Sequence, residues 1–358
     1  MTNARRAPPP VAFWVAVAVI ALLAVGASVL VDAPERDVSS VGVPSTGPPS
    51  PPPSSPGSGL AAGGDPSPSA TPPPRGSLVI HGTGDVNLDP NYISTFATHG
   101  YGYAWSGLGG LFRRDDLTVV NLECAVSDRG AAVPKEFNFR GDPDALPAMR
   151  DAGVEVANLG NNHSYDFGPQ ALVDTVRNVE RAGMEPVGAG ANRREALAPA
   201  LFDLEGWRVA VVGLDQVVDP FPQAVATATE PGTAAGHDTG LMIEAIRAAA
   251  DRAEIVVVMI HWGVELDIRP RAEQVALGRR MIEAGADVIF GGHSHRLQPM
   301  DTYRNRPIFY SLGNFVWPDL SHDGSVTAVA EVRVSPRGDV RGRLLPAFIS
   351  APGHPVLR

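Results

Sequence analysis

The chain is poor in several of the residues from which sites are commonly built. Of its 358 residues one is cysteine, Cys124, and one is lysine, Lys135. A lone cysteine excludes an internal disulfide framework, a cysteine-built zinc site and a lipid-modified cysteine near the N-terminus. Any metal must then be held by His, Asp, Glu or Asn. Positive charge is scarce as well. The 29 Lys and Arg face 39 Asp and Glu, for a net charge of -10 and a pI near 5.4, a balance that argues against nucleic-acid binding.

What is present falls into three parts. Residues 11–31 are apolar or small and carry no charge, enough to cross a hydrocarbon core of about 30 Å as a helix. Arg5 and Arg6 precede this run, so by the positive-inside tendency residues 1–10 are expected in the cytoplasm and everything after Val31 outside. A cleaved signal peptide is the alternative, because residues 24–27 offer small side chains to a peptidase. Residues 32–76 read as a disordered linker: 34–76 hold 13 prolines among Ser, Gly and Thr and have almost nothing to bury. The folded part is expected over 77–358. The chain is therefore expected to be a single-pass membrane protein with its C-terminal domain outside the cell.

Within that part, short apolar runs alternate with amphipathic stretches. Strands are expected at Leu78 to Thr83, Leu117 to Leu122, Val154 to Leu159, Arg208 to Leu214, Ile255 to Ile260, Val288 to Phe290, Ile308 to Ser311, Thr327 to Val334 and Val340 to Phe348. Helices are expected from Asp142-Pro143 onward, over Pro169 to Ala182, Leu241 to Ala253 and Ala272 to Ala284, with Gly183 and Gly285 as C-terminal stops. Early βα alternation followed by consecutive strands predicts an α/β fold with some antiparallel pairing.

Five of these strands run straight into residues that bind metals or move protons. They are Gly84-Asp85-Val86-Asn87, Asn121-Leu122-Glu123, Gly160-Asn161-Asn162-His163 with Asp166 close behind, His261-Trp262-Gly263-Val264-Glu265, and Gly291-Gly292-His293-Ser294-His295. Taken singly, each is as well explained by a helix cap or a polar turn. Together they lie where open α/β sheets form sites, at the carboxyl ends of strands. Imidazole, carboxylate and amide oxygen are the ligand set for zinc, iron or manganese when thiolates are absent. Two such ions bridged by a carboxylate can clamp a phosphate ester and acidify a bound water. His163 reads as a proton donor, oriented through its other nitrogen by Asp166.

That ordered set, completed by Tyr310-Ser311-Leu312-Gly313-Asn314-Phe315, resembles the CapA family of capsule and poly-γ-glutamate synthesis proteins, related to the calcineurin-like metallophosphatases. The match runs from Leu78 to about Trp317. It implies a four-layer α/β/β/α metallophosphatase-like sandwich, preceded by one transmembrane helix and the proline-rich linker. It also implies one or two divalent ions, of manganese, zinc or iron. Carried over by position, Asp85 and His295 resemble ligands of a first metal, Asn162, His261 and His293 those of a second, and Glu123 stands where phosphatases place a bridging aspartate. Asn87 departs from the phosphatase pattern, which has histidine there; an amide is the weaker ligand.

Lys135 and Arg140, in Pro134-Lys135-Glu136-Phe137-Asn138-Phe139-Arg140, are candidates to hold an anionic group, although Lys135 can equally be a solvated surface residue. Glu265 is a candidate substrate contact, a salt-bridge partner or a residue that orients the metal ligands. His81 is expected to be a packed histidine, Cys124 a small apolar residue, and His99, His237, His322 and His354 surface residues. The expected role is synthesis or export of an anionic surface polymer, with polymer-synthesis proteins as partners. The alternatives are a phosphoesterase acting on a nucleotide, lipid-linked or glycan phosphate, and a non-catalytic polymer-binding module.

Overall fold

A computed structural model describes residues 74–217, 221–318 and 321–358. The apolar run 11–31 and the linker up to residue 73 lie outside the described residues. Among the described residues no helix is long and apolar enough to cross a membrane.

The domain is an α/β sandwich of two large sheets, with two further two-stranded pairs. The first has the order His354–Leu357, Val340–Ala351, Val326–Val334, Leu78–Val86, Leu117–Leu122, Val156–Asn158 and Glu185–Val187, with Asn314–Val316 pairing the far end of Leu78–Val86. The second has the order Met300–Tyr303, Arg306–Phe309, Val288–Gly292, Ile255–His261, Trp207–Asp215 and Ala200–Leu204. The central strands of each are parallel, and the C-terminal strands of the first sheet are antiparallel, as the order of runs predicts. The expected strand at Ile308 to Ser311 is shifted to Arg306–Phe309. Short strands such as Ala200–Leu204 and Glu185–Val187 escape a reading based on apolar runs because they are mixed in polarity.

Period-two alternation decides which way each side chain faces. Ile255, Val257 and Met259 join Leu78, Ile80, Val119, Val211 and Phe290 in one apolar cluster between the sheets. Val256, Val258 and Ile260 face the other way, onto Met242 and Ile246 of helix Thr239–Ala250 and Leu277 and Met281 of helix Ala272–Ala284. The outer face of the first sheet is covered by Leu146 and Met149 of helix Leu146–Asp151 and by Leu172 and Val179 of helix Gly168–Arg181. Helices therefore cover both outer faces, as expected where parallel strands must be buried on both sides. Helix Ala272–Ala284 has its predicted bounds and stops at Gly285 in a left-handed conformation (φ 118°). Asp142 caps its 3-10 turn through the amide of Asp144 at 2.9 Å.

Near the start of the described residues, the Arg75 guanidinium lies 4.2 Å from the Trp207 ring centroid; Gly76 exchanges hydrogen bonds with Glu205 and Trp207. Phe290 fills the seam between the sheets, its ring 5.6 Å from that of Phe309 and flat against the glycine at 82. Phe290→Ala is expected to cost about 3–5 kcal/mol, read as a lower denaturant midpoint at unchanged m-value.

Candidate metal centre

The same alternation that builds the apolar seam ends it in polar groups. Two residues beyond Val119, Val156 and Met259, the next inward positions are Asn121, Asn158 and His261, and Asp215 follows Val211 and Gly213 in the same alternation. Register aligns them across the sheets: Asp85 opposite Asn121, Asn121 opposite Asn158, Asp215 opposite His261 and His261 opposite Gly292. Gly292 is required by close approach. A Cβ there would lie 2.4 Å from Asp85 Oδ1.

The structure brings Asp85, Glu123, Asn162, His261, His293 and His295 into one cluster. Glu123, His261 and His293 form one group able to hold an ion, and Asp85, Glu123 and His295 another, the ligand atoms in each within 4.8 Å of one another. Glu123 belongs to both. Its Oε1 lies 3.4 Å from His261 Nε2 and 4.0 Å from His295 Nε2. His261 Nε2 also meets Asn162 Oδ1 at 2.9 Å and His293 Nδ1 at 3.1 Å. Asp85 Oδ2 is 3.2 Å from His295 Nδ1 and accepts the backbone N–H of His293, also at 3.2 Å.

Residues 293 and 295 both take left-handed backbone, φ 89° and 53°, which is costly for a side-chain-bearing residue. The turn sends the two imidazoles to different halves of the cluster, one toward His261 and the other toward Asp85.

Both oxygens of Glu123 are fully buried and have no hydrogen-bond partner. Proteins rarely leave a buried carboxylate in that state, and a divalent cation among these residues would satisfy it. Burial, then the charge of Asp85, pushes the Glu123 carboxyl well above its ordinary range. Burial pushes His261 and His293 well below theirs, which favours the neutral imidazole that a metal ligand requires. Burial works against a charged His295 too, but the hydrogen bond to Asp85 and the charge of that residue raise its pKa on balance.

Beside the cluster, His163 Nδ1 contacts Asp166 Oδ2 at 2.7 Å, and its Nε2 lies 3.9 Å from Glu123 Oε1. Phe139 covers the ring at 4.2 Å. Lys135 is not a solvated surface lysine: its Nζ donates to Asp166 Oδ1 at 2.6 Å and to the Asn162 carbonyl at 2.8 Å. Arg140 is not brought to the cluster. Its guanidinium donates to the carbonyls of Ser127, Arg129 and Gly130 and stacks on Phe167, so it secures a loop. Glu265 stands exposed on the loop after His261, where its charge still acts on Glu123 and His295. Asn87 turns its Oδ1 to the amide of Asp89 at 2.8 Å, and its buried Nδ2 has no partner. It presents a donor, not a ligand oxygen. His81 is packed as expected, but it also meets Asp115 Oδ2 at 2.5 Å. Cys124 is buried, His99, His237 and His322 are exposed, and His354 is half-buried.

A row of amides behind the cluster has no counterpart among the expected site residues. Asn158 donates to Asn121 at 2.8 Å, Asn121 donates to Asp85 at 2.8 Å, and Asn314 Oδ1 lies 2.8 Å from His295 Nδ1. Asp215 is the other. It is buried beside His261, accepts from Thr233 Oγ1 and the Val217 amide, both at 2.8 Å, and burial pushes its pKa up to about 7. A raised acid favours the protonated fold, so this contribution is present below about pH 4 and is lost as pH rises to about 7. Asp215→Asn keeps the Val217 bond on its oxygen and reverses the other, its NH2 donating to Thr233 Oγ1 while that hydroxyl turns to the Ala224 carbonyl. It should melt with wild type at pH 4 and be more stable at pH 8 by on the order of 2 kcal/mol.

Glycine at 84 lets two backbones meet: a Cβ there would lie 1.8 Å from the carbonyl oxygen of Gly313. Gly84→Ala is expected to push Asp85 out of place, lowering stability by about 3 kcal/mol and metal content with it.

A family model described as bacterial capsule synthesis protein PGA_cap matches residues 79–319. The capsule biosynthesis protein CapA of Bacillus anthracis is 32% identical over 249 residues, covering 67% of this chain and 60% of that protein. The PGA biosynthesis protein CapA of Bacillus subtilis is 33% identical over 210 residues, covering 58% and 54%. A probable polyglutamine synthesis accessory protein of Mycobacterium tuberculosis is 33% identical over 210 residues, covering 56% and 55%. The chain thus spans little more than half the length of these relatives.

Proposed function

The chain belongs to the CapA family of bacterial capsule synthesis proteins, and from that premise we propose that it serves synthesis or export of an anionic surface polymer of the poly-γ-glutamate type, using a divalent-metal centre. The domain is held outside the cell by residues 11–31 acting as a membrane anchor and by the proline-rich linker, and it works beside polymer-synthesis proteins. Its paired sheets, covered by helices and carrying the cluster at one strand edge, agree with a four-layer metallophosphatase-like arrangement.

The observation that carries the metal reading is Glu123: a fully buried carboxylate without a hydrogen-bond partner, among imidazoles from separate strand ends. Glu123, His261, His293 and Asn162 would hold one ion, and Asp85, Glu123 and His295 a second. A bound divalent ion supplies a Lewis acid and a water of lowered pKa.

The chain's own groups do the rest. Asp166 fixes one face of the His163 imidazole, so that Nε2 is left toward the cleft to pass a proton to a departing oxygen. Lys135 holds the Asp166 carboxylate and the Asn162 carbonyl together, which sets His163 and the amide ligand at a fixed separation. This orientation of His163 favours phosphoester hydrolysis, on a nucleotide, lipid-linked or glycan phosphate, over a purely polymer-binding role. In a strain whose own copy carries His293→Ala, surface-attached polymer should fall while the protein accumulates normally. Polymer unchanged in amount and attachment would refute the proposal.

A further inference from the structure

The large hydrophobic side chains exposed among the described residues are Tyr92 (39%), Phe137 (51%), Val264 (38%), Leu266 (61%) and Ile268 (64%). Four sit on loops that leave the strand ends where the metal cluster lies, and Phe137 lies on the loop between Ala125–Val126 and Arg140–Gly141 that brings Lys135 to His163. Tyr92 follows Leu78–Val86, and Phe137 shares a short loop with Lys135 and Phe139. Val264, Leu266 and Ile268 lie between His261 and His293. Exposed apolar side chains concentrated at one strand edge of a domain mark a contact surface.

The 264–268 loop is built to display them. Leu266 takes left-handed backbone, φ 65°, a conformation that disfavours a branched side chain. The tip is pinned by the Leu266 amide on the Ser294 carbonyl at 2.8 Å and by Gln298 Nε2 on the Asp267 carbonyl at 2.8 Å. Of its acids, Asp267 pairs with Arg271 at 2.7 Å, and Glu265 is exposed beside the apolar side chains. Arg269, exposed next to Ile268, has no ion-pair or hydrogen-bond partner among the described residues. Outward apolar side chains flanked by a free arginine form the pattern of a segment that enters the headgroup region of a bilayer.

We propose that this rim docks against a lipid surface, so that the metal centre opens onto the bilayer and takes a phosphate carried by a lipid. This rests on the membrane-anchored metal-centre reading above. Chain length permits it. The described residues begin at 74, at the opposite strand edge from the cluster, and a stretch as long as 32–73 has an upper reach of ~130 Å at ~3.1 Å per residue, enough for either end of the domain to face the membrane.

The test uses the full chain in nanodiscs of phosphatidylcholine and phosphatidylglycerol. Cys124 is buried, so Ile268→Cys gives one reactive thiol for an environment-sensitive fluorophore, and Arg337→Cys, in the hairpin at the far end of the domain, gives the control. The probe at 268 should be blue-shifted and quenched by a lipid-borne quencher about threefold or more beyond the probe at 337. Adding Val264→Asp and Leu266→Asp to the 268 variant should abolish that difference while melting stays unchanged. Equal quenching at 268 and 337 overturns the proposal, as does protection that appears only when a partner protein is added. A chain that fails to enter the disc overturns the anchored reading and this proposal with it, whereas a chain in the disc with an unshifted probe overturns this proposal alone.

Discussion

Glu123→Gln is expected to act in opposite directions on the metal-free and metal-loaded protein. In the metal-free protein the buried carboxylate has no partner on either oxygen, and an uncompensated buried polar group costs about 1–3 kcal/mol, more when charged. Glutamine removes the charge at nearly constant volume, so the metal-free variant should melt about 5 °C above wild type at pH 8. The sign follows from the direction of the shift. The Glu123 carboxyl is pushed above its ordinary range by burial and then by Asp85, so wild type loses this contribution as pH rises past the ordinary glutamate value, and the advantage of the variant should vanish below about pH 4. Adding manganese or zinc reverses the order. Wild type gains about 4 kcal/mol when free metal exceeds Kd a thousandfold; the variant, lacking the carboxylate common to both halves of the cluster, gains little. Melting curves with chelator and with metal read both halves of the prediction. A Gln variant less stable than wild type in chelator would mean that Glu123 has a protein partner and no need of an ion.

Asp166→Asn should leave the metal in place and remove turnover. Asp166 accepts three hydrogen bonds at once, from Lys135 Nζ, the Phe139 amide and His163 Nδ1. An asparagine can present an oxygen to only one side, so its NH2 group faces either an ammonium or the imidazole, and His163 loses its fixed orientation. Hydrolysis of a phosphoester substrate by the metal-loaded protein is expected to fall about 10²- to 10⁴-fold in kcat. His163→Gln, which spares the Lys135–Asp166 pair, should lose a similar factor without the lower melting temperature that breaking a buried pair brings to Asp166→Asn. Turnover reduced only in step with metal content would assign Asp166 a structural role alone.

Much of this architecture follows from local sequence logic. Continuous apolar runs ending in Asp85, Asn121, His261 and Gly292 mark parallel strands buried on both faces, because no other element puts so many β-branched residues next to abrupt polar ends. The separation of His293 from His295 follows from a glycine pair and a tight turn. The amide row is harder to see: Asn121 and Asn158 look like ordinary strand-end polar residues until register sets them side by side and in line with Asp85. Asp215 obeys the same strand-end rule, yet its neighbours Gln216 and Val217 carry no metal-binding pattern, and only its pairing opposite His261 gives it meaning. Arg140 misleads for the converse reason. It is close in sequence to Lys135, but it begins the short strand Arg140–Gly141 whose backbone pairs with Ala125–Val126, and this turns the guanidinium toward the carbonyls of a neighbouring loop.

Glu123 and the imidazoles around it are expected to hold a divalent ion. Elemental analysis of protein purified without chelator, then dialysed against metal-free buffer, tests it directly. The wild type should carry at least one equivalent of manganese, zinc or iron per chain, and a protein with both His261→Ala and His293→Ala under ~0.1. Wild-type protein without metal, or a double variant that keeps as much as wild type, would contradict it.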